Sequence, residues 1–260
     1  MIGAIAEAFS TLPAMNPVLA GGAMVAMLGG KTGMKALRSQ QLLEVECARA
    51  NVIAPNLGLT ARLLAASHAA GQLAWGPLGF GVRSVALKAF GLPVTAIARV
   101  HVAERIAEAI GIVAVALVAL AAGGHVLAAA AIALLGTALL VLRGKQFAIA
   151  SGWALASSLA DVTVLALASH AMHVDVGRVP LVLGFLGISV ATCVPITPGG
   201  LGVQEAAITL AFATAGIPAP EALGCALAYR CAHLVPLAIV GGPALATSLK
   251  FAKRKPVVAA

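Results

Sequence analysis

Apolar segments long enough to cross a lipid bilayer follow one another along most of this chain of 260 residues. Hydrophobic residues make up 61% of the sequence and charged residues only 10%, a balance that argues against an ordinary soluble domain. A bilayer offers no hydrogen-bond partner to free backbone groups, so segments of this kind span it as helices. The sequence therefore predicts an all-α, polytopic membrane protein.

The predicted architecture is a single integral membrane domain, residues 1–260, with about 7–9 transmembrane or half-membrane helices. Two pieces, residues 82–90 and 201–215, are too short to cross a bilayer alone, and they predict broken or re-entrant helices. The other apolar segments are residues 12–30, 57–75, 106–122, 126–142, 148–169, 181–194 and 222–249.

The basic residues predict membrane topology rather than nucleic-acid binding. The formal net charge is +8, but the basic side chains occur in short clusters between apolar segments. Such clusters mark cytoplasmic loops and contacts with anionic lipids. The first, with Lys31, Lys35 and Arg38, predicts a cytoplasmic loop leading into an interfacial helix over residues 34–50. We expect an inner-membrane protein whose N-terminus is outside and whose C-terminus is cytoplasmic.

A polar segment rich in glycine and proline, residues 195–205, interrupts the apolar sequence at membrane depth. Its prolines remove backbone donors, and its glycines permit backbone angles that other residues resist. Irregular backbone survives in a bilayer only where protein buries it or where it lines a water-filled cavity. The segment is therefore predicted to form one wall of a polar site. Its residues with a predicted role are Pro198, Gly199, Gly200, Gly202 and Glu205.

An internal repeat connects this segment to a second one, residues 76–81, which also predicts a helix break. Residues 91–105 align with residues 216–230 at a constant offset of 125, with Gly, Pro, Ala and Arg coinciding. We predict two repeats, residues 57–124 and 181–249, inverted with respect to each other in the membrane. Secondary transporters use such repeats to build a site near the bilayer midplane. Chance similarity between two Gly/Pro helix starts is the alternative.

The second-half motif carries a family resemblance. Residues 198–205, followed by Gly216-Ile217-Pro218 and by Tyr229-Arg230, resemble the C-terminal signature of the lysylphosphatidylglycerol synthase transmembrane-region family. Its members, of the UPF0104-like type, are also called flippase-like integral membrane proteins.

The first half is similar to the same family in a weaker form. The family motif usually reads Pro-Ala-Arg-x-Gly-Glu-x-x-Arg, and Arg83 matches its last arginine, whereas its first arginine and its glutamate are absent here. Glu104-Arg105 follows at a similar place. The resemblance implies a bacterial or archaeal inner-membrane protein that moves or presents lipids. The soluble aminoacyltransferase domain of some members is not expected, because the chain stops at Ala260.

Glu205 and Arg230 are the leading site candidates, because ionisable residues inside a membrane segment point to function. The alternative is a structural ion pair that joins two half-helices. Arg83 and Arg230 are expected to attract phosphate. Asp161 lies in an otherwise apolar segment, where it could serve proton coupling or a buried hydrogen-bond network.

The remaining polar candidates carry weaker expectations. Glu104 and Arg105 begin a predicted span, either as interfacial anchors or as headgroup contacts. His233, one turn past Arg230, could share its network. His170 and His173 have helix-like ligand spacing, but without enough partners, so we expect no metal and no cofactor.

The favoured function is a lipid flippase or transporter for an anionic phospholipid or a lipid-linked intermediate. Membrane lipids are then the expected partners. One alternative is a non-transporting membrane protein that scaffolds or regulates a lipid-modifying enzyme. Another is a membrane-embedded transferase with Glu205 or Asp161 as base. No nucleotide-binding or common hydrolase motif occurs in the sequence, so we expect no enzymatic activity.

Overall fold

The computed structural model describes residues 15–73, 76–122, 144–193, 197 and 200–252. The regular structure of these residues is entirely helical, which confirms the predicted all-α class. The predicted span 126–142 lies outside the described residues, as do Pro198 and Gly199. The elements are α1 (Pro17–Val25), the π-helical segment π1 (Ala26–Thr32), α2 (Gly33–Arg49), α3 (Leu57–Leu73), α4 (Gly76–Ala89), α5 (Val94–Ala122), α6 (Lys145–Ala171), α7 (Arg178–Cys193), α8 (Val203–Ala213) and α9 (Ala219–Ala252).

The first three elements form one continuous helical path. The side chain of Asn16 caps it by accepting hydrogen bonds from the backbone N–H groups of Val18 (3.0 Å) and Leu19 (3.3 Å). The path then runs through π1 into α2 without a loop. The structure has no loop at the predicted position after residue 30, whereas the predicted helix over residues 34–50 is present as α2. The residues there are mostly good helix formers, so positive charge alone does not end the helix.

Residues 76–81, where the sequence predicts irregular backbone, instead begin α4, a helix separate from α3 that packs against it. Pro77 sits in the first turn, where its missing N–H has no intrahelical partner to lose. Gly79 allows α4 to approach α3 closely, since a Cβ at this position would lie 2.5 Å from the carbonyl oxygen of Ser67. The Ser67 hydroxyl donates to the carbonyl of Gly79 at 2.8 Å. Gly79 therefore allows the two helices to pack closely and does not mark irregular backbone.

Two helix ends follow the predicted Gly-x-Pro pattern. Gly91 and Gly216 have φ angles of 92° and 75°, in the left-handed region that favours glycine. The backbone N–H of the next residue returns to the last turn in both cases: Leu92 donates to the carbonyl of Leu87, and Ile217 to that of Phe212. Proline then precedes the first residue of α5 and of α9.

The long helix α5 begins at Val94, well before the predicted span start at residue 106. Glu104 and Arg105 therefore lie in the interior of this helix and not at its start. Glu104 is buried, which does not fit an interfacial anchor.

Small residues let the helices pack at short distances. A Cβ on Gly187 of α7 would lie 2.9 Å from the Cβ of Ala207 in α8. A Cβ on Gly241 of α9 would lie 2.8 Å from the carbonyl oxygen of Ala65 in α3. Close approach through glycine and alanine is typical of helix association in membranes.

Many large apolar side chains lie on the surface, and several charged side chains lie inside the apolar core. Within the described residues, two helical segments are long and apolar enough to cross a membrane, Lys145–Ala171 and Ala219–Thr247. Several charged residues are buried, among them Arg83, Glu104 and Asp161. Buried charged residues of this kind are uncommon in soluble proteins and point to function in membrane proteins. Large apolar side chains that face outward include Val25, Val85, Val118, Leu159, Val190, Leu210 and Ile239.

Replacing Gly111 with valine is expected to lower the free energy of unfolding by about 1–3 kcal/mol. A Cβ at Gly111 of α5 would lie 2.8 Å from the carbonyl carbon of Ala154 in α6, so the two helices would have to separate. Denaturant titration in detergent micelles measures the change. Gly152→Val is the matched control, since an added Cβ at that position meets nothing within 4 Å. Equal stability of the two variants would contradict the required close approach.

Candidate functional site

A cavity of about 300 Å³ lies inside the helix bundle. Its wall is built by π1 and by α2, α3, α4, α5, α6, α7 and α9. Among the described residues, five basic and three acidic side chains line it, so the basic residues exceed the acidic ones by two. A cavity of this character inside a largely apolar molecule suits an anionic group. The charged residues are Lys31, Lys35, Arg38, Arg83, Arg105, Glu104, Glu108 and Asp161.

One helical stripe supplies three of the five basic residues. Lys31, Lys35 and Arg38 are four and three residues apart, which puts them on one face of the path from π1 to α2. The side chains of Lys31 and Lys35 are each only 15% exposed. The sequence predicts Lys31 at a cytoplasmic loop and Lys35 and Arg38 in the interfacial helix that follows, and the spacing of the three residues also indicates a charged helix face.

The first buried ion pair joins α4 to α5. Arg83 donates from Nη1 to Oε2 of Glu104 at 2.6 Å and from Nη2 to Oε1 at 2.7 Å. Its Nη2 also donates to the Ser39 hydroxyl at 2.5 Å. Two parallel bonds between a guanidinium and a carboxylate make a strong and directional contact. Glu104, from the next helix, thus supplies a carboxylate beside Arg83, although the family's own glutamate is absent from the first-half motif.

A second carboxylate on α5 is shared by two basic residues. Glu108 accepts from Lys35 Nζ at 2.8 Å and from Arg105 Nη1 at 2.8 Å. The Arg105 guanidinium also lies 4.7 Å from the ring centroid of Phe80, a cation–π contact. Desolvation lowers the pKa of Lys35, and the neighbouring carboxylate of Glu108 offsets only part of this effect.

Asp161 is the centre of a polar cluster that joins π1, α6 and α9. Its carboxylate lies 2.6 Å from Lys31 Nζ and 3.2 Å from His233 Nε2. It also accepts from the Tyr229 hydroxyl at 2.8 Å. Lys31 Nζ and His233 Nε2 are themselves 2.9 Å apart. The structure therefore places His233 in the network of Asp161, on the cavity wall.

The π-helical segment positions Lys31 in this cluster. Gly30 lies so close to α6 that a Cβ there would be 2.9 Å from the Cβ of Ala160. This contact brings the backbone next to Lys31 against the helix that carries Asp161. Single π-helical turns within longer helices are frequent at functional sites.

Glu205 and Arg230 form a separate buried ion pair. Oε1 of Glu205 lies 3.3 Å from Nε of Arg230, and Arg230 Nη1 donates to Gln204 Oε1 at 2.6 Å. The other carboxylate oxygen of Glu205 accepts from the backbone N–H of Gly202 at 2.7 Å, which caps the start of α8. None of these residues is among those that line the cavity.

The two described glycines of this segment carry unusual backbone angles. Gly200 has φ of 69° and Gly202 has φ of 82°, both in the left-handed region. At Gly200, an added Cβ would lie 2.8 Å from Nε2 of Gln204. Glycine at this position therefore leaves room for the side chain that Arg230 contacts.

The described His, Cys, Asp and Glu side chains do not form a group of three or more that could hold a metal ion. His170 and His173 lie at the end of α6 and in the loop after it. Cys47, Cys225 and Cys231 are free thiols.

Comparison with protein families gives a match over residues 138–241, to the family described as the lysylphosphatidylglycerol synthase TM region. These residues of the chain are similar to the lysylphosphatidylglycerol synthase transmembrane-region family. The match confirms the resemblance seen in the second-half motif, and it includes Asp161, Glu205, Arg230 and His233. The match to this family and the two apolar helices indicate a membrane protein. Comparison with curated proteins and with solved structures gave no match.

Proposed function

We propose that the protein is a lipid flippase or transporter that moves or presents an anionic phospholipid or a lipid-linked intermediate across the inner membrane. The observation that carries this proposal is the cavity with an excess of basic side chains inside a helical membrane protein that matches this family. A headgroup could contact its charged wall. Apolar wall residues such as Phe185, Ile188 and Leu237 could contact the start of an acyl chain.

The proposal includes two inverted repeats, residues 57–124 and 181–249. Their helices have the same order, and the long helices α5 and α9 begin at Val94 and Ala219, at the predicted offset of 125. The first helix of each repeat contacts the long helix of the other repeat: α3 contacts α9, and α7 contacts α5. Inverted repeats of this kind support alternating access by rocking one unit against the other.

Side-chain contacts at equivalent positions also support the repeat. Phe80 and Arg105 of the first unit are in contact, and so are Glu205 and Arg230, each 125 residues later. The chemistry differs, because the first contact is a cation–π interaction and the second an ion pair. A shared position with changed chemistry fits two halves that diverged after duplication.

The buried charge clusters are proposed to have two different roles, a structural one and a coupling one. We assign the pairs Arg83–Glu104 and Glu205–Arg230 to holding each unit together, and the cluster around Asp161 to coupling. A buried carboxylate next to a histidine is a group that proton-driven transporters use. The proposed orientation, N-terminus outside and C-terminus inside, places most basic clusters in the cytoplasm.

Reconstitution into liposomes tests the proposal. Purified protein is expected to speed the transbilayer movement of labelled phosphatidylglycerol relative to protein-free liposomes. Failure with phosphatidylglycerol and with every lipid-linked anion tried would reject transport. Protein with Glu205→Gln or Arg230→Ala separates the two roles of this pair. Loss of transport with normal expression would indicate a transport site, whereas loss of expression would indicate a structural pair.

A further inference from the structure

Arg38 stands out among the basic residues of the cavity. Arg38 is only 5% exposed, and it lines the cavity wall. Two of its guanidinium nitrogens, Nε and Nη1, are buried without a hydrogen-bond partner within the described part of the chain. Buried polar groups of proteins are hydrogen-bonded in the great majority of cases, and an arginine has only donors to satisfy. The Arg38 guanidinium therefore carries donor capacity at the cavity wall that the described residues do not use.

The acidic residues of the cavity are already engaged. Glu104 accepts two hydrogen bonds from Arg83. Glu108 accepts from both Lys35 and Arg105. Neither carboxylate lies within ion-pair distance of Arg38, although both are close enough for its charge to act on them. Arg38 thus contributes a positive charge to the cavity that the neighbouring carboxylates do not neutralise by direct contact.

The third acidic residue of the cavity is engaged as well. Asp161 contacts Lys31, Tyr229 and His233. The sequence predicts that Arg83 attracts phosphate, but both of its Nη atoms already donate hydrogen bonds to protein acceptors. Within the described residues, Arg38 is the cavity arginine whose buried donors lack an acceptor.

We propose that Arg38 binds the phosphate group of an anionic ligand in this cavity. The inference deepens the proposed transport function and rests on it for the physiological role. A guanidinium is well suited to phosphate because it is permanently charged and presents several donors to the phosphate oxygens. The excess of two basic residues over acidic ones allows the cavity to take a phosphodiester with one negative charge or a phosphomonoester with up to two.

The phosphate could belong to a lipid headgroup or to phosphate dissolved in water. The apolar part of the same wall, with Leu64, Ile112 and Phe185, would contact a lipid but adds nothing to the binding of inorganic phosphate. Binding measurements with both probes distinguish the two sources.

The test measures binding of short-chain phosphatidylglycerol to the full-length protein in an uncharged detergent. Arg38→Gln is expected to weaken binding at least about tenfold, the usual effect of losing a charge-assisted contact. Arg38→Lys, which keeps the charge and loses the planar group, is expected to give a smaller loss. Arg62→Gln is the matched control, because Arg62 is exposed on α3 and does not line the cavity. Unchanged affinity in Arg38→Gln would overturn the inference.

A stability measurement guards against a misfolded variant. Arg38→Gln is expected to keep the wild-type unfolding midpoint, since it leaves no carboxylate without its partner. Loss of phosphatidylglycerol binding at an unchanged midpoint is therefore the supporting result. If Arg38→Gln lowers the unfolding midpoint, Arg38→Lys is used as the test variant instead. The inference is rejected if folded Arg38→Lys protein binds phosphatidylglycerol as tightly as the wild type.

Inorganic phosphate is then added as a competitor. Displacement of phosphatidylglycerol in the wild type shows that the phosphate group is recognised, and tight binding of phosphatidylglycerol over phosphate points to a lipid source. Arg38-dependent binding of phosphate alone points to the dissolved source. Because these measurements need no bilayer, Arg38-dependent binding without lipid movement in liposomes would reject transport and retain this site. If Arg38→Gln changes neither lipid movement nor phosphatidylglycerol binding, transport is retained and the Arg38 site is rejected.

Discussion

Replacing Arg83 with methionine is expected to lower the free energy of unfolding by about 3–5 kcal/mol. The change leaves the Glu104 carboxylate buried without its two guanidinium hydrogen bonds, and an unpaired buried charge is costly. Ser39 also loses the contact that its hydroxyl makes with Arg83. Denaturant titration in detergent micelles, followed by the loss of helical circular dichroism, measures the change.

The double variant Arg83→Met with Glu104→Leu is the decisive control. Removing both charges eliminates the unpaired carboxylate, so most of the lost stability is expected to return. Arg62→Met controls for the loss of an exposed arginine, and we expect it to stay close to the wild type. If Arg83→Met is as stable as Arg62→Met, the ion pair between α4 and α5 does not hold these helices together.

Asp161→Leu is expected to have an effect of similar size, a loss of about 3–5 kcal/mol in the free energy of unfolding. Asp161 is the carboxylate that contacts Lys31, and it also accepts the Tyr229 hydroxyl. Its removal leaves the Lys31 ammonium in the cavity without a counterion. Thermal and chemical unfolding of the purified protein measure the change, and the liposome assay shows whether lipid movement is lost with it.

A graded series separates charge from hydrogen bonding in this cluster. Tyr229→Phe removes one hydrogen bond and no charge, so it is expected to cost only about 1–3 kcal/mol. Lys31→Met combined with Asp161→Leu removes both charges, and we expect it to be more stable than Asp161→Leu alone. A cost for Asp161→Leu no larger than that for Tyr229→Phe would show that the ion pair contributes little.

The sequence predicted those features that depend on neighbouring residues. Gly91 and Gly216 end helices because only glycine readily takes the left-handed backbone that each end requires, and the proline after it starts the next helix. Long apolar segments predicted helices for a similar reason, since a bilayer leaves the backbone no other way to satisfy its hydrogen bonds. The second-half motif also predicted the family match over residues 138–241.

The same local signals misled where tertiary contacts decide. Pro77 and Gly79 resemble a helix breaker in sequence, but one occupies a first helical turn and the other allows α4 to touch α3. The basic cluster with Lys31 and Lys35 predicts a cytoplasmic loop, but the helix continues through both residues, and both line the cavity. Charge and glycine content do not say which way a residue faces once helices pack.

The partners of the site residues could not be predicted from the sequence. Arg83 and Glu104 belong to different helices, so their contact depends on how α4 and α5 pack. Glu205 and Arg230 were expected to be close on either reading, and they are. The importance of Arg38 depends on two nitrogens that find no acceptor, a property of the packed structure alone.

The placement of the ion pairs has a consequence for the energy barrier of any rocking motion. Arg83–Glu104 lies wholly within residues 57–124, and Glu205–Arg230 wholly within residues 181–249, so neither pair joins the two proposed units. The contacts of Asp161 tie α9 to π1 and α6, which lie outside both units. In the proposed rocking motion, a shift of α9 relative to these elements would break those contacts, so their strength would add to the energy barrier.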